Sequence, residues 1–194
     1  MVFQKKFEWK YKLLINLTKV IKLLHQEEIV HGDLKPSNIL INDIAEVYII
    51  DFDNSFEFSK PPIYQEIIGD LFYMPPEFIH YIRLEGDFNP NLLNLKSDIY
   101  SLGNIFCSII FGQSINKIWN DKPLYEKIYN QEKINFPVNE FSQELIELLN
   151  SMLQFSNERR PKIEDVEKKL KSLKHEILNL EFIGVHNIKL QKEI

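Results

Sequence analysis

The stretch from Asp98 to Phe111, DIYSLGNIFCSIIF, is apolar almost all the way round a helical projection. A helix of that kind belongs at the centre of a domain rather than at its surface, so this run is the expected scaffold for everything else. The 194 residues are 44% hydrophobic, with 23 Lys and Arg against 28 Asp and Glu for a net charge of -5. That balance suits one soluble globular domain over 1–194 with a sizeable core. With no basic cluster set among aromatics, it predicts no nucleic acid and no anionic membrane as a partner.

The elements expected around the scaffold can be read from periodicity. Between Tyr11 and His25 the apolar residues Leu13, Leu14, Leu17, Val20, Ile21 and Leu24 recur at helical spacing. Gly32 and Pro36 then interrupt HGDLKPSN, which reads as a loop. Two short strands follow, NILIN and EVYIID, joined by a tight connection near Asp43, so that Asn38 and Asp51 flank one hairpin. Residues 52–97, with prolines at 61, 62, 75, 76 and 90, read as a long loop region. Ser142 is a good N-cap for QELIELLNSMLQF, and Pro161 opens KIEDVEKKLKSLKHEILNL, where Ile163, Val166, Leu170, Leu173 and Ile177 form a stripe. Lys168, Lys169, Lys171 and Lys174 are its solvated face. The expected class is mainly α with a short β hairpin (α+β).

Cys107 is the only cysteine, so no intrachain disulfide or cysteine-based zinc site is available. Within its apolar run it reads as a buried thiol, which fits a reducing compartment. MVFQKKFEWKYK lacks the apolar core of a signal peptide and no apolar run has membrane-spanning length, so the expected location is cytoplasmic. His25, His80, His175 and His186 show no metal-ligand spacing and read as structural or surface residues.

The chemistry concentrates between residues 31 and 51. Phosphoryl transfer needs metal to neutralise phosphates, a base near the acceptor hydroxyl and a cation for the moving charge. Asp33 is the candidate base and Lys35 the candidate cation beside the γ-phosphate of ATP. Asn38 and Asp51 offer the hard oxygen ligands that Mg²⁺ prefers. A plainer reading competes, in which the two aspartates cap turns, Asn38 ties a loop and Lys35 is a surface lysine.

HGDLKPSN resembles the catalytic loop H-R-D-x-K-x-x-N of protein kinases, and IIDFDN resembles the D-F-G metal-binding turn. Downstream, GDLFYMPPE (69–77) is similar to the family's G-T-x-x-Y-M-A-P-E segment, SDIYSLG (97–103) to its D-x-W-S-L-G helix start, and ERRP (158–161) to its closing Arg-Pro. Order and spacing agree from about Tyr11 to Leu173; the tail 181–194 stays unassigned. The resemblance implies a protein-kinase-like fold using Mg·ATP on a protein substrate, with Lys35 and Pro36 favouring serine and threonine over tyrosine as acceptor. It further implies that Asp98 holds the catalytic-loop backbone and that Glu77 pairs with Arg160. Leu40 would lie under the adenine ring, and His31 and Phe52 in an internal apolar spine.

The sequence departs from the family's pattern in several places. The six glycines contain no G-x-G-x-x-G, and Lys5, Lys6 and Lys10 sit in no apolar strand, so the chain reads as the large C-lobe without the N-lobe. It then stands as a piece of a longer kinase, a chain that borrows an upper lobe from a partner, or a non-catalytic docking module. Uncovered apolar surface is expected beside the strands NILI and EVYII. Gly32 replaces the arginine that reads loop phosphate, so phosphate-dependent switching through Ser55, Ser59 or Tyr64 is not expected. Asp53 stands for the glycine of D-F-G, and Asp70 for a threonine of serine/threonine kinases. HGD and IDFD also resemble small-molecule phosphotransferases of the aminoglycoside and choline kinase type; Lys35 and the segments MPPE, SDIYSLG and RRP stand against that reading.

Overall fold

The computed structural model describes residues 2–61, 72–83, 93–112, 136 and 142–179. Gly69, Asp70, Tyr64, most of the 83–96 segment and the tail 181–194 lie outside the described residues.

The first helix, α1 (Val2–Gln26), starts nine residues before Tyr11, with neither proline nor glycine to stop it. Leu13, Leu14, Leu17 and Ile21 are buried as the periodicity requires. Thr18 shares that face, its hydroxyl donating to the Leu14 carbonyl at 2.8 Å. Beyond Gln26 the chain leaves the helix through Glu28, whose φ of 55 lies in the left-handed region. Strand β1 (Ile29–Val30) then runs into the loop, and a single 3-10 turn, Pro36–Asn38, leads to β2 (Ile39–Ile41).

β2 pairs antiparallel with β3 (Val47–Ile49), Leu40 opposite Tyr48, which is the hairpin the alternation predicts. Ile39, Ile41 and Val47 point into the core. Two hydrogen bonds fasten its tip to α1, from Trp9 Nε1 to the Asp43 carbonyl at 3.2 Å and from Asn16 Nδ2 to the Ala45 carbonyl at 2.7 Å. The outer side carries exposed Ile44, Tyr48 and Ile50, in line with the expected bare apolar surface.

Residues 52–97 are not one long loop. Strand β4 (Phe56–Glu57) pairs with β1, and helix α2 (Pro76–Arg83) follows. Pro76 occupies the first helical turn, where a missing N–H costs nothing, so the Pro-Pro step that reads as a breaker is a helix start. Phe78 and Ile79 of α2 are buried.

The central helix α3 (Leu95–Phe111) begins three residues before Asp98, because Asn94 and Ser97 form a reciprocal cap: the Asn94 side chain accepts from Lys96 N at 2.9 Å and Ser97 Oγ from Asn94 N at 3.3 Å. Every residue from Ser97 to Phe111 is buried, as the unbroken apolar run demands. Burial raises the Cys107 thiol pKa far above its ordinary value, leaving it an unreactive core group.

Helix α4 (Gln143–Met152) is capped by Ser142, whose Oγ accepts from Leu145 N at 3.1 Å, and packs on α3. The single helix expected after Pro161 is two, α5 (Ile163–Ser172) and α6 (Lys174–Asn179), with Leu173 between them out of helical geometry. Pro161 lies outside the first of these. The whole stripe Ile163, Val166, Leu170, Leu173 and Ile177 is nevertheless buried, with α5 and α6 both against α1. Among the described residues no helix is long and apolar enough to cross a membrane.

Candidate active site

The loop between β1 and the 3-10 turn is held by a carboxylate from the core helix. Asp98, 1% exposed at the start of α3, accepts from His31 N at 2.9 Å and from Gly32 N at 3.1 Å, one oxygen to each amide. Buried His25 adds its Nε2 at 3.2 Å to the oxygen that takes His31 N. These bonds satisfy two backbone donors that the loop cannot pair within itself.

His31 ties the loop to the strand that leads to Asp51. Its Nδ1 accepts from Asp33 N at 3.3 Å, which assigns the proton to Nε2, placed to donate to the Ile50 carbonyl at 3.2 Å. The His31 ring is wholly buried and lies 5.0 Å from that of Phe52. Phe52 itself is 46% exposed, so the expectation that both rings sit in an internal spine holds for His31 and fails for Phe52. The phenyl group caps the imidazole from outside because the chain at 51–53 runs along the surface.

Asp33, Lys35 and Asn38 converge. Asp33 Oδ2 accepts from Lys35 Nζ at 2.5 Å and from Asn38 Nδ2 at 3.2 Å, and Asn38 Nδ2 also reaches the Asp33 carbonyl at 2.9 Å. The Asp33 side chain is only 9% exposed and that of Lys35 21%, so the carboxylate is held in one orientation by its two donors. With the Asn38 amide nitrogen committed to Asp33, its Oδ1 is the atom left for a cation.

Asp51 follows β3 on the exposed surface, with φ at 66 and no hydrogen bond or ion pair among the described residues. The hairpin register brings residues 38 and 51 to its open end, and a carboxylate and an amide oxygen are hard donors of the kind Mg²⁺ takes. Residues Asn38 and Asp51 therefore fit that ion. Leu40, half-buried on the outer side of β2, lies two residue pairs along from the Asn38–Ile50 step, where Ile50 N donates to the Asn38 carbonyl at 3.0 Å.

Below the loop, Glu77 and Arg160 form a two-pronged ion pair at 2.6 and 2.7 Å, both side chains buried. Ser97 Oγ donates to the same carboxylate at 2.7 Å. The remaining guanidinium hydrogens go to the carbonyls of Gln154, Lys96 and Phe155, so all five donors are used.

Sequence reasoning missed three of these contributors. His25 reads as an ordinary structural residue, yet it continues the buried row Leu14, Thr18, Ile21 along α1, and that spacing was the available signal. Ser55, whose Oγ donates to the His31 carbonyl at 3.0 Å, and Ser97 had none, because small hydroxyl residues in loops and caps are common.

Comparison with known proteins converges on one family. The family model described as protein kinase domain matches residues 5–170. A protein of Acanthamoeba polyphaga mimivirus that carries a serine/threonine-protein kinase name is 32% identical over 175 residues, covering 84% of this chain and 56% of its own length. Mitogen-activated protein kinase kinase 2 of Arabidopsis thaliana is 34% identical over 146 residues, covering 71% of this chain and 38% of its own length. Cyclin-dependent kinase G-2 of Oryza sativa subsp. indica is 29% identical over 181 residues, which is 76% of this chain and 25% of the relative. The chain thus spans little more than half of the first relative and smaller shares of the other two.

Proposed function

This chain belongs to the protein kinase family, and from that membership we propose that it carries the catalytic and metal-binding residues of a serine/threonine protein kinase acting on protein hydroxyls with Mg·ATP in the cytoplasm. The observation that carries the reading is the hydrogen-bonded group Asp33, Lys35 and Asn38, with Asp51, which has no partner among the described residues, following the hairpin strand that pairs back to Asn38. The 194 residues would act as one kinase-like domain.

In the reaction the acceptor oxygen forms a bond to the γ-phosphorus while the bond from that phosphorus to the β,γ-bridging oxygen breaks, and ADP leaves. Asp33 accepts the proton of the acceptor hydroxyl; its carboxylate is already aimed by two donors and needs no reorientation. Lys35 offsets the negative charge of the transferring group. Asn38 Oδ1 and the Asp51 carboxylate hold Mg²⁺, which when bound neutralises phosphate charge. Leu40 offers an apolar surface for the adenine.

The test begins with calorimetric titration of Mg·ATP into the purified chain. Binding that needs Mg²⁺ and disappears in Asp51→Ala is expected; equal binding by the variant removes Asp51 from the metal site. Transfer to a protein substrate should then fall by at least about 10²-fold in Asp33→Asn while nucleotide binding persists. Unchanged transfer would remove Asp33 as base.

One observation favours a second reading, a docking module: Tyr48, 53% exposed, and Ile50, 37% exposed, leave the outer side of the hairpin apolar. Absence of nucleotide binding by the whole chain would turn the reading that way.

A further inference from the structure

Two segments must meet for the site to work, the loop that carries Asp33 and the turn that carries Asp51. At their junction is Gly32, with φ at +81. A Cβ built there would stand 2.5 Å from the backbone oxygen of Asn54 and 3.4 Å from its carbonyl carbon. The left-handed conformation strains an L-residue here, as it does at Glu28 and Asp51, but the second fact is the one that excludes a side chain: the space that a methyl group needs is filled by main chain, which has no rotamer to move to.

Around this contact the two segments are stitched on either side. Ser55 Oγ donates to the His31 carbonyl at 3.0 Å, and His31 Nε2 reaches the Ile50 carbonyl at 3.2 Å. β1 pairs with β4, and Phe58 N donates to the Glu28 carbonyl at 2.7 Å. The backbone at Asn54 can approach to this distance only because residue 32 has no Cβ.

We infer that Gly32 is a positioning residue, whose missing side chain seats the Asp51 turn directly on the catalytic loop and so fixes the metal-binding carboxylate relative to the base. The significance for metal rests on the function proposed above; the seating of the turn does not. One consequence concerns control. A cation at position 32 would have to displace the Asn54 carbonyl before it could read a phosphate, so the turn is ordered by main-chain contact and not by charge.

Hydrogen exchange on the whole chain tests the seating without nucleotide. In Gly32→Ala the amides of Ser55 and Phe58 should exchange roughly tenfold faster, while amides in the middle of α3 keep wild-type protection. Gly32→Asn separates the two causes, since asparagine tolerates positive φ yet brings the same Cβ; it should behave like Gly32→Ala, and wild-type behaviour would overturn the steric argument. Gly32→Arg should loosen the same amides, and a tightened turn in that variant would also overturn it. Uniformly faster exchange through α3 would mean that Gly32 serves general stability and not this contact. Should Gly32→Ala fail to fold, Ser55→Ala removes one stitch and leaves Gly32 alone; faster exchange confined to residues 52–58 is expected, and unchanged exchange there overturns the proposal.

A second readout reaches the metal. Where the wild type binds Mg·ATP, Gly32→Ala should raise the Mg²⁺ concentration required by roughly tenfold and leave metal-free ATP binding unaltered. Equal loss of both would assign Gly32 a purely structural role. A wild type that binds no nucleotide would defeat the functional reading alone, with the exchange result standing on its own.

Discussion

Arg160 shows how a single residue can connect distant parts of this molecule. Its guanidinium meets the Glu77 carboxylate and three carbonyls, and it lies 5.0 Å over the ring of Tyr100. Removing such a partner leaves a charge in the core without compensation, which ordinarily costs about 3–5 kcal/mol. Arg160→Met should therefore lower the urea midpoint severely, with three orphaned carbonyls adding to the loss. Glu77→Gln should also be costly, because the amide oxygen can still accept from Arg160 Nη1 and Ser97 but the buried guanidinium loses its counter-charge and its Nη2 faces an amide NH2. Comparable midpoints for Arg160→Met and wild type would show that the pair does not brace the fold.

At the scale of elements, the contact between α1 and α5 is fixed by a carboxylate between two lysines. Glu167 accepts from Lys22 at 2.8 Å and from Lys171 at 2.6 Å, and these bonds lower its pKa from 4.5 to about 2. A carboxyl whose folded pKa is depressed adds stability that is complete above its unfolded value of about 4.5 and is lost as pH falls through its folded value of about 2. The gain is modest, since the Lys22 and Lys171 side chains are 29% and 58% exposed and water screens them. Urea midpoints at pH 6 and near pH 2.5 should converge between wild type and Glu167→Gln as the pH is lowered. A difference that grew on acidification would contradict the assignment.

The molecule as a whole is organised by α3, and its one thiol reports on that organisation. Cys107 lies 0% exposed within an unbroken buried helix, with its pKa pushed upward by burial. Local fluctuations at the site loop do not reach it, so alkylation by iodoacetamide should follow global unfolding and rise with urea along the same curve as loss of helical signal. Reaction in native buffer at the rate of a free thiol would mean that the central helix opens far more readily than its packing suggests.

Much of this arrangement was legible in advance, because it follows from local rules. An apolar run without a polar face had to be buried, and alternation through NILI and EVYII set a hairpin that brings Asn38 and Asp51 to its open end. Residue types between 31 and 51 pointed to the proposed base, lysine and hard-cation ligands, beside a plainer reading in which they cap turns and tie a loop. What the pattern misassigned were points where a residue has two local meanings, as at Pro76, which opens a helix, and Leu173, which interrupts one. What it could not contain was the partner of each polar group. His25 meets Asp98 across 73 residues and Glu77 meets Arg160 across 83, while Gly32 meets Asn54 through a carbonyl that any residue possesses. Such contacts depend on distances of a few tenths of an ångström between segments remote along the chain. The sequence alone therefore determined the kinds of residue at the site and the class of fold; packing around α3 decided which of those residues touch, since hydrogen bonds form only where tertiary structure brings donor and acceptor together.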